Sequence, residues 1–416
     1  MKFSLRYGHG QVELNVPERN FAGELRPRIV GGGREEDIVA AALASPIGSP
    51  RLREIVRPGE KICVVASDVT RPCPSHRLLP PLLAELNAAG IPDRDVVIVL
   101  ALGIHRFHAP EEQKKLVGPD IYDRCLVVDH DPARCRRLGT TAAGTPADVF
   151  ETVVEADRRI CLGNVEYHYF AGYSGGAKAI MPGTSSHEAI QNNHKMMTLE
   201  AAKAGRLEDN PVRRDIDAVA DFLSVDFILN VVLDEDKKIR AAFSGHYLEA
   251  HRAACRRLDE MLQVVIPPPG ADIVAVSAGG HPKDINVYQA QKALDNAARA
   301  VRPGGAVIWI GACDEGFGES VFEKWLKEAE RSSDLVERVK KDFRLGGHKA
   351  AAIAMVLEKM SVFMVSNLDP SVAKSLFVRP APSPDAALAE ALKELGPDSK
   401  VMVMPFGGST LPTIAG

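Results

Sequence analysis

Residues 61–108 read KICVVASDVTRPCPSHRLLPPLLAELNAAGIPDRDVVIVLALGIHRFH. Two apolar runs, Lys61–Ala66 and Asp95–Leu102, flank Ser75–Ala89, which carries a helical pattern, so the stretch reads as strand, helix, strand. That unit is the building block of a mainly parallel α/β sheet. The pattern continues outward with strand candidates at Cys125–Asp129, Arg159–Gly163 and Phe227–Leu233. A further helix is expected at Pro110–Val117, opened by the Pro-Glu-Glu suited to a first turn. The first residues, MKFSLRYGHGQVELNV, alternate like a strand.

At 266–272 the chain reads IPPPGAD, three prolines and a glycine that cannot continue a helix. The pattern then restarts with strand Ile273–Ser277, a helix near Val287–Val301, a turn at Arg302–Gly305 and strand Ala306–Gly311. Strands at Ser361–Val365 and Lys400–Pro405 complete it. The expected organisation is therefore two α/β domains with mainly parallel sheets: an N-terminal cofactor-binding domain over 1–266 and a C-terminal domain over 271–405. A tail, 406–416, could return to the first domain.

The chain has 416 residues, 45% hydrophobic and 25% charged, with 51 basic and 55 acidic side chains and a net charge of −4. No basic block tracks a phosphate backbone, which argues against nucleic acid as a partner. No apolar run approaches the roughly 18 to 20 residues of a membrane span, and the amino terminus has no signal-peptide core. A cytoplasmic protein is expected. The seven cysteines are scattered and odd in number, without a C-x-x-C pair, which disfavours a disulfide framework or a thiolate zinc site.

Ligands of open α/β sheets bind at the carboxyl ends of strands. After KICVVA comes SDVTRPCP, after DVVIVLAL comes GIHRFH, and after RICLG comes NVEYHYFAGYSGGAKAIMPG. Arg71, His105, His168 and Lys178 would thus converge on one sheet edge. A lone histidine is usually a satisfied structural one; two that follow two strands, beside an Arg and a Lys, point to a site. Gly172, Gly175 and Gly176 would allow close backbone approach to a ligand, and Ser174 and Lys178 could meet a phosphate or carboxylate. The segment is not a Walker loop, since Ala177 and Ala179 flank Lys178. The His187-Glu188 pair fails the zinc-protease pattern because Gln191 stands where the second histidine belongs. One metal-ligating histidine from this helix is plausible, with His187 and His194 roughly on one face. Gly31–Gly33 lacks a dinucleotide fingerprint and reads as a turn. Gln289 and Lys292, three apart, would share a helix face.

Taken together, SDVTRP (67–72), ALGIHR (101–106), EYHYFAGYSGGAKAIMPG (166–183), NNH (192–194) and GGHPKDINVYQAQK (279–292), in that order, resemble the lactate racemase family. Its members racemise or epimerise 2-hydroxy acids with a nickel-pincer nucleotide. The resemblance implies a two-domain enzyme with its active site in the cleft between the domains. It also implies nickel and a pyridinium-3,5-bisthiocarboxylic acid mononucleotide-type pincer, whose biosynthetic enzymes are indirect partners. By resemblance, Lys178 matches a lysine that can be tethered to the cofactor, and His194 matches the nickel ligand. His105 and His168 match the paired acid/base histidines, and Arg71, Gln289 and Lys292 match substrate-binding residues. Asp68 and Thr70 border the cofactor, whose binding segment includes Ser174, Gly175 and Gly176. The family's substrate-site tryptophan has no counterpart among Trp309 and Trp325, so the implied substrate stays at the level of a small 2-hydroxy acid. The residues alone leave open a nicotinamide-dependent oxidoreductase and a non-catalytic carboxylate- or nucleotide-binding protein.

Overall fold

The computed structural model describes residues 1–28, 32–344 and 346–415. Within the Gly31–Gly33 run, Gly31 lies outside the described residues and Gly33 sits in a bend. Two compact units are formed. The first comprises Ile29–Glu260, the second Met1–Arg28 together with Met261–Gly416. No helix among the described residues is long and apolar enough to cross a membrane.

The first unit is built on a six-stranded sheet, in the order Ile239–Gly245, Phe227–Leu233, Arg158–Val165, Ile62–Ser67, Val96–Ala101, Leu126–Asp129. Every neighbouring pair is parallel except the edge pair Phe227–Leu233 and Ile239–Gly245. Continuous apolar runs such as ICVVA are what a sheet covered on both faces requires. Val64, Ala66, Ile98 and Leu229 form one core with Leu78 and Leu82 of helix Ser75–Ala88. The strands and helices expected in this half are present to within a residue or two at each end.

The second unit carries an all-parallel six-stranded sheet, in the order Arg379–Pro380, Ser361–Val365, Val301–Ile310, Ala271–Ser277, Val401–Met404, Phe21–Glu24. Its last strand comes from the amino terminus. The hairpin of Lys2–Tyr7 with Gly10–Asn15 adds Leu5 and Leu14 to the same core as Ile273 and Ile308. The alternation legible in the first residues fixes which side chains are buried, not which sheet they are buried against.

This arrangement departs from the expectations in several places. Residues 1–28 belong with the carboxyl-terminal part of the chain, not with 29–260. The unit boundary falls inside helix Glu249–Leu262, and the proline-rich 267–270 stretch instead turns the chain between strands Gln263–Ile266 and Ala271–Ser277. The tail strand Leu411–Ile414 pairs in parallel with Gln263–Ile266. Arg302–Gly305, read as a turn, is part of strand Val301–Ile310, with a register shift opposite Ala271/Ile273 absorbing the prolyl and glycyl residues.

Leu5 is fully buried, and both tryptophans of the chain, Trp309 and Trp325, are buried in the second unit. Leu5→Ala should therefore destabilise that unit by about 2–5 kcal/mol, seen as a lower urea midpoint in tryptophan fluorescence. An unmoved midpoint would mean that the amino-terminal hairpin contributes nothing to this core.

Candidate functional site

The strand order of the first unit reverses beside Ile62–Ser67: the chain continues to Val96–Ala101 on one side and later returns as Arg158–Val165 on the other. Pairing of the two central strands runs from Ile62↔Arg158 to Val65↔Cys161. Beyond that each stays paired only with its outer neighbour, up to Ser67↔Ala101 and Val165↔Val232. The strands part there, at the kind of reversal where open sheets take their ligands. Asp68, His105 and the loop from Glu166 onward follow the ends of these strands.

Asp68 is 2% exposed, and its Oδ2 lies 2.6 Å from His105 Nδ1. Thr70 Oγ1 donates to both carboxylate oxygens, at 2.9 and 3.0 Å. Burial alone would raise the Asp68 carboxyl. The hydrogen bond and charge of His105, the charge of Arg71 and the Thr70 hydroxyl outweigh it and hold the group below its ordinary value. An ionised Asp68 makes His105 Nδ1 the donor, which leaves Nε2 as the nitrogen able to take up a proton. Arg71, exposed, turns back to donate its backbone N–H to Asp68 O at 3.2 Å.

The second loop begins with a tight antiparallel pair, Tyr167–His168 against Gly172–Tyr173. Asp259 clamps it by accepting from Tyr167 Oη at 2.7 Å and from Tyr173 Oη at 2.8 Å. His168 Nδ1 accepts from the Ala171 backbone N–H at 3.3 Å. Phe170, at the turn, is the hub of this half of the site. Its ring centroid lies 4.5 Å from that of His168 and 4.8 Å from that of His194, both edge-to-face, and 5.9 Å from Lys178 Nζ.

Lys178 stands on the short 3-10 turn Gly176–Ala179. Burial, reinforced by the charges of Arg71 and Arg213, pushes its amine well below the ordinary lysine value, against the opposing charge of Glu166. The shift favours the neutral amine, which is the nucleophilic form. The residues before it are occupied by the protein. Ser174 Oγ donates to Asn164 O at 2.7 Å and accepts from Glu166 N at 2.9 Å. Gly175 (φ +75°) and Gly176 (φ +58°) are left-handed, and a Cβ would lie 2.6 Å from Asn230 Oδ1 on the former and 2.8 Å from the His251 ring on the latter. The close approach that these glycines permit is thus, on that side, an approach of Asn230 and His251.

Helix His187–Lys195 is capped by Ser186, whose hydroxyl accepts from Ala189 N. His187 is exposed at its start, whereas His194 is 6% exposed, so only the second of the pair faces inward. Asn193 Nδ2 donates to Asp215 Oδ2 at 2.8 Å and to Val212 O at 3.1 Å, which turns its Oδ1 toward His194 Nδ1 at 3.1 Å. Burial, then the charges of Lys178 and Arg71, lower the His194 imidazole to about 3, so it is neutral across the physiological range.

In the second unit, Gln289 and Lys292 sit on helix Val287–Ala298, which Asn286 caps by accepting from Gln289 N. Gln289 is exposed and Lys292 half-buried. Trp309 and Trp325 are both core residues. Of the residues singled out from sequence in the first unit, the structure gathers Asp68, Thr70, Arg71 and His105 in one cluster. His168, Lys178 and His194 form another around Phe170. Arg71 links the two electrostatically, since its charge acts on Asp68, Lys178 and His194 alike. Phe170, Asn193 and the Asp259 clamp were not singled out; the aromatic density of EYHYFAGY and the amide beside His194 were the available signals.

The chain matches the lactate racemase N-terminal domain over residues 7–205 and the lactate racemase C-terminal domain over 266–411. It is 34% identical to a lactate racemase of Thermoanaerobacterium thermosaccharolyticum and 32% identical to that of Lactiplantibacillus plantarum, in each case over 97% of both chains. Its fold superimposes on the lactate racemase apoprotein of T. thermosaccharolyticum with a TM-score of 0.91, covering 99% of this chain and all of that one at 33% identity. A protein from Thermotoga maritima, with a TM-score of 0.66 at 21% identity over 91% of this chain and 98% of its own, shares the fold alone. The chain thus belongs to the lactate racemase family and is an isomerase.

Proposed function

We propose that the chain racemises or epimerises a small 2-hydroxy acid with the help of a nickel-pincer nucleotide. The observation that carries this reading is a pair of histidines, His105 and His168, rooted by different loops at the carboxyl edge of one sheet, with His105 hydrogen-bonded to the buried Asp68. The chemistry needs one base to take the hydroxyl proton of one enantiomer and an equivalent group for the other.

In this reading His105 accepts the hydroxyl proton at Nε2, and ionised Asp68 stabilises the imidazolium through Nδ1. His168 is its counterpart. Arg71 grips the substrate carboxylate while the carbonyl formed at Cα reorients, and Gln289 and Lys292 are the further substrate-binding residues. The donor chemistry fits the cofactor: His194 is a neutral imidazole able to ligate nickel, and Lys178 an amine shifted toward the neutral form that could carry a covalent link. Ser174, Gly175 and Gly176 shape the turn from which Lys178 rises, and Asp68 and Thr70 sit in the loop that would border the cofactor. When bound, the nickel-pincer nucleotide supplies the acceptor for the Cα hydrogen and its electron pair. Separate biosynthetic enzymes must load it.

Protein co-expressed with the cofactor-making enzymes should convert either pure enantiomer of a 2-hydroxy acid, lactate first, to an equal mixture without added NAD and without net oxidation. Strict dependence on added NAD would overturn the reading. Lys178→Ala should remove any added mass from the intact chain, and an unchanged adduct would place the link elsewhere. Asp68→Asn should lower kcat by about 10²–10⁴ at unchanged nickel content, because an amide can donate to Nδ1 and move the ring proton to Nε2, the nitrogen that must be empty. Undiminished turnover would remove Asp68 from the mechanism.

A further inference from the structure

A second Asp–His pair lies behind the first. His108, with a side chain 1% exposed, places Nδ1 2.8 Å from Asp129 Oδ1 and Nε2 3.2 Å from the backbone nitrogen of Val69. Asp129 ends strand Leu126–Asp129, and both its oxygens are engaged. Oδ2 accepts the His108 backbone N–H at 2.6 Å, and Oδ1 also accepts from Gln113 Nε2 at 3.0 Å. The ring's protonation follows from its partners. A backbone N–H can only donate, so Nε2 accepts and the proton sits on Nδ1, directed at Asp129. With both nitrogens committed inside the protein, His108 has no edge left for a substrate proton.

The amide that it holds belongs to the Asp68–Val69 peptide. Val69 separates Asp68 from Thr70, the two residues that contact His105 Nδ1. Thr70 and Arg71 are exposed and the Val69 side chain is 46% exposed, so little packing restrains this turn. Its other backbone restraint is the Arg71 N–H on Asp68 O, at 3.2 Å. The ends of three adjacent strands, Ile62–Ser67, Val96–Ala101 and Leu126–Asp129, are in this way tied through one imidazole.

We propose that His108 is a positioning residue. Backed by Asp129, it fixes the Asp68–Val69 peptide and so the direction in which Asp68 meets His105. The proposal rests on the reading of His105 as an acid/base group. An error of about 1 Å in such a group costs on the order of 100-fold in turnover. In holoenzyme, His108→Phe keeps the ring volume and removes both nitrogens, whereas His108→Gln retains an acceptor at the reach of Nε2.

Two readouts test this: hydrogen exchange of segment 67–72, and kcat and KM per bound nickel. His108→Phe should speed exchange at Val69 and lower kcat by about 10- to 100-fold, with KM within about threefold. His108→Gln should recover most of both. Should the phenylalanine variant fail to fold, Asp129→Asn, which weakens the hold on His108, should move both readouts the same way to a smaller extent. Unchanged kcat per nickel despite faster exchange at Val69 would overturn the positioning role, as would exchange as slow as in the parent chain. His105→Asn is the control. Full racemisation in that variant would overturn the acid/base reading itself, whereas its inactivity beside a fully active His108→Phe would overturn only the role of His108.

Discussion

The site depends on the parting of two parallel strands. Ile62–Ser67 and Arg158–Val165 pair as far as Val65 and Cys161, and past that point each follows its outer neighbour. In a sheet whose connections run one way and then the other, the central pair has no chain crossing above it, so the loops leaving it are not covered. Asp68 and the Glu166–Gly183 loop issue from these two ends. Polar groups can collect at this edge without being stranded, since side chains from other elements reach them: Asp259 accepts from Tyr167 and Tyr173, and Asp215 accepts from Asn193.

One cation has opposite effects on its neighbours. Arg71 favours the charged form of Asp68 and disfavours that of Lys178 and His194. Burial acts in the same direction as Arg71 on the two bases and against it on the acid. The outcome favours an ionised carboxylate beside His105, and the neutral forms of the amine and the imidazole beside Phe170. Each is the protonation state its proposed role needs: a partner for an imidazolium, a nucleophile and a metal ligand.

Much of this was legible in the sequence because apolar runs of strand length separated by helical patterns leave little choice of class. The strand ends then bring SDVTRP and GIHR together by topology alone. What the sequence did not disclose depends on long-range choice of partner. The MKFSLRY hairpin shows its buried face, yet only the pairing of Phe21–Glu24 with Val401–Met404 assigns it to the far end of the chain. IPPPGAD is a stiff turn, and stiffness marks a boundary no better than it marks a connection between two strands of one unit. Phe170 looked like one aromatic among several, because its importance lies in three contacts to residues 2, 8 and 24 positions away.

The glycines before Lys178 show how a correct residue can be chosen for an incomplete reason. Left-handed backbone at Gly175 and Gly176 suggests room for a ligand, but the room a Cβ would need is taken by Asn230 and His251. Ser174, expected to meet an anion, spends its hydroxyl on Asn164 and Glu166. Arg213, fully buried, binds the Tyr173 carbonyl, and His251 Nε2 donates to Ser174 O at 2.8 Å. A loop held at so many points has little conformational freedom left to lose in the roles proposed for its lysine and its neighbours. The same rigidity lets a half-buried lysine with little nearby opposite charge stay in place, because rearrangement would break several hydrogen bonds at once. In this segment the residues that look ligand-directed instead make the framework that holds Lys178.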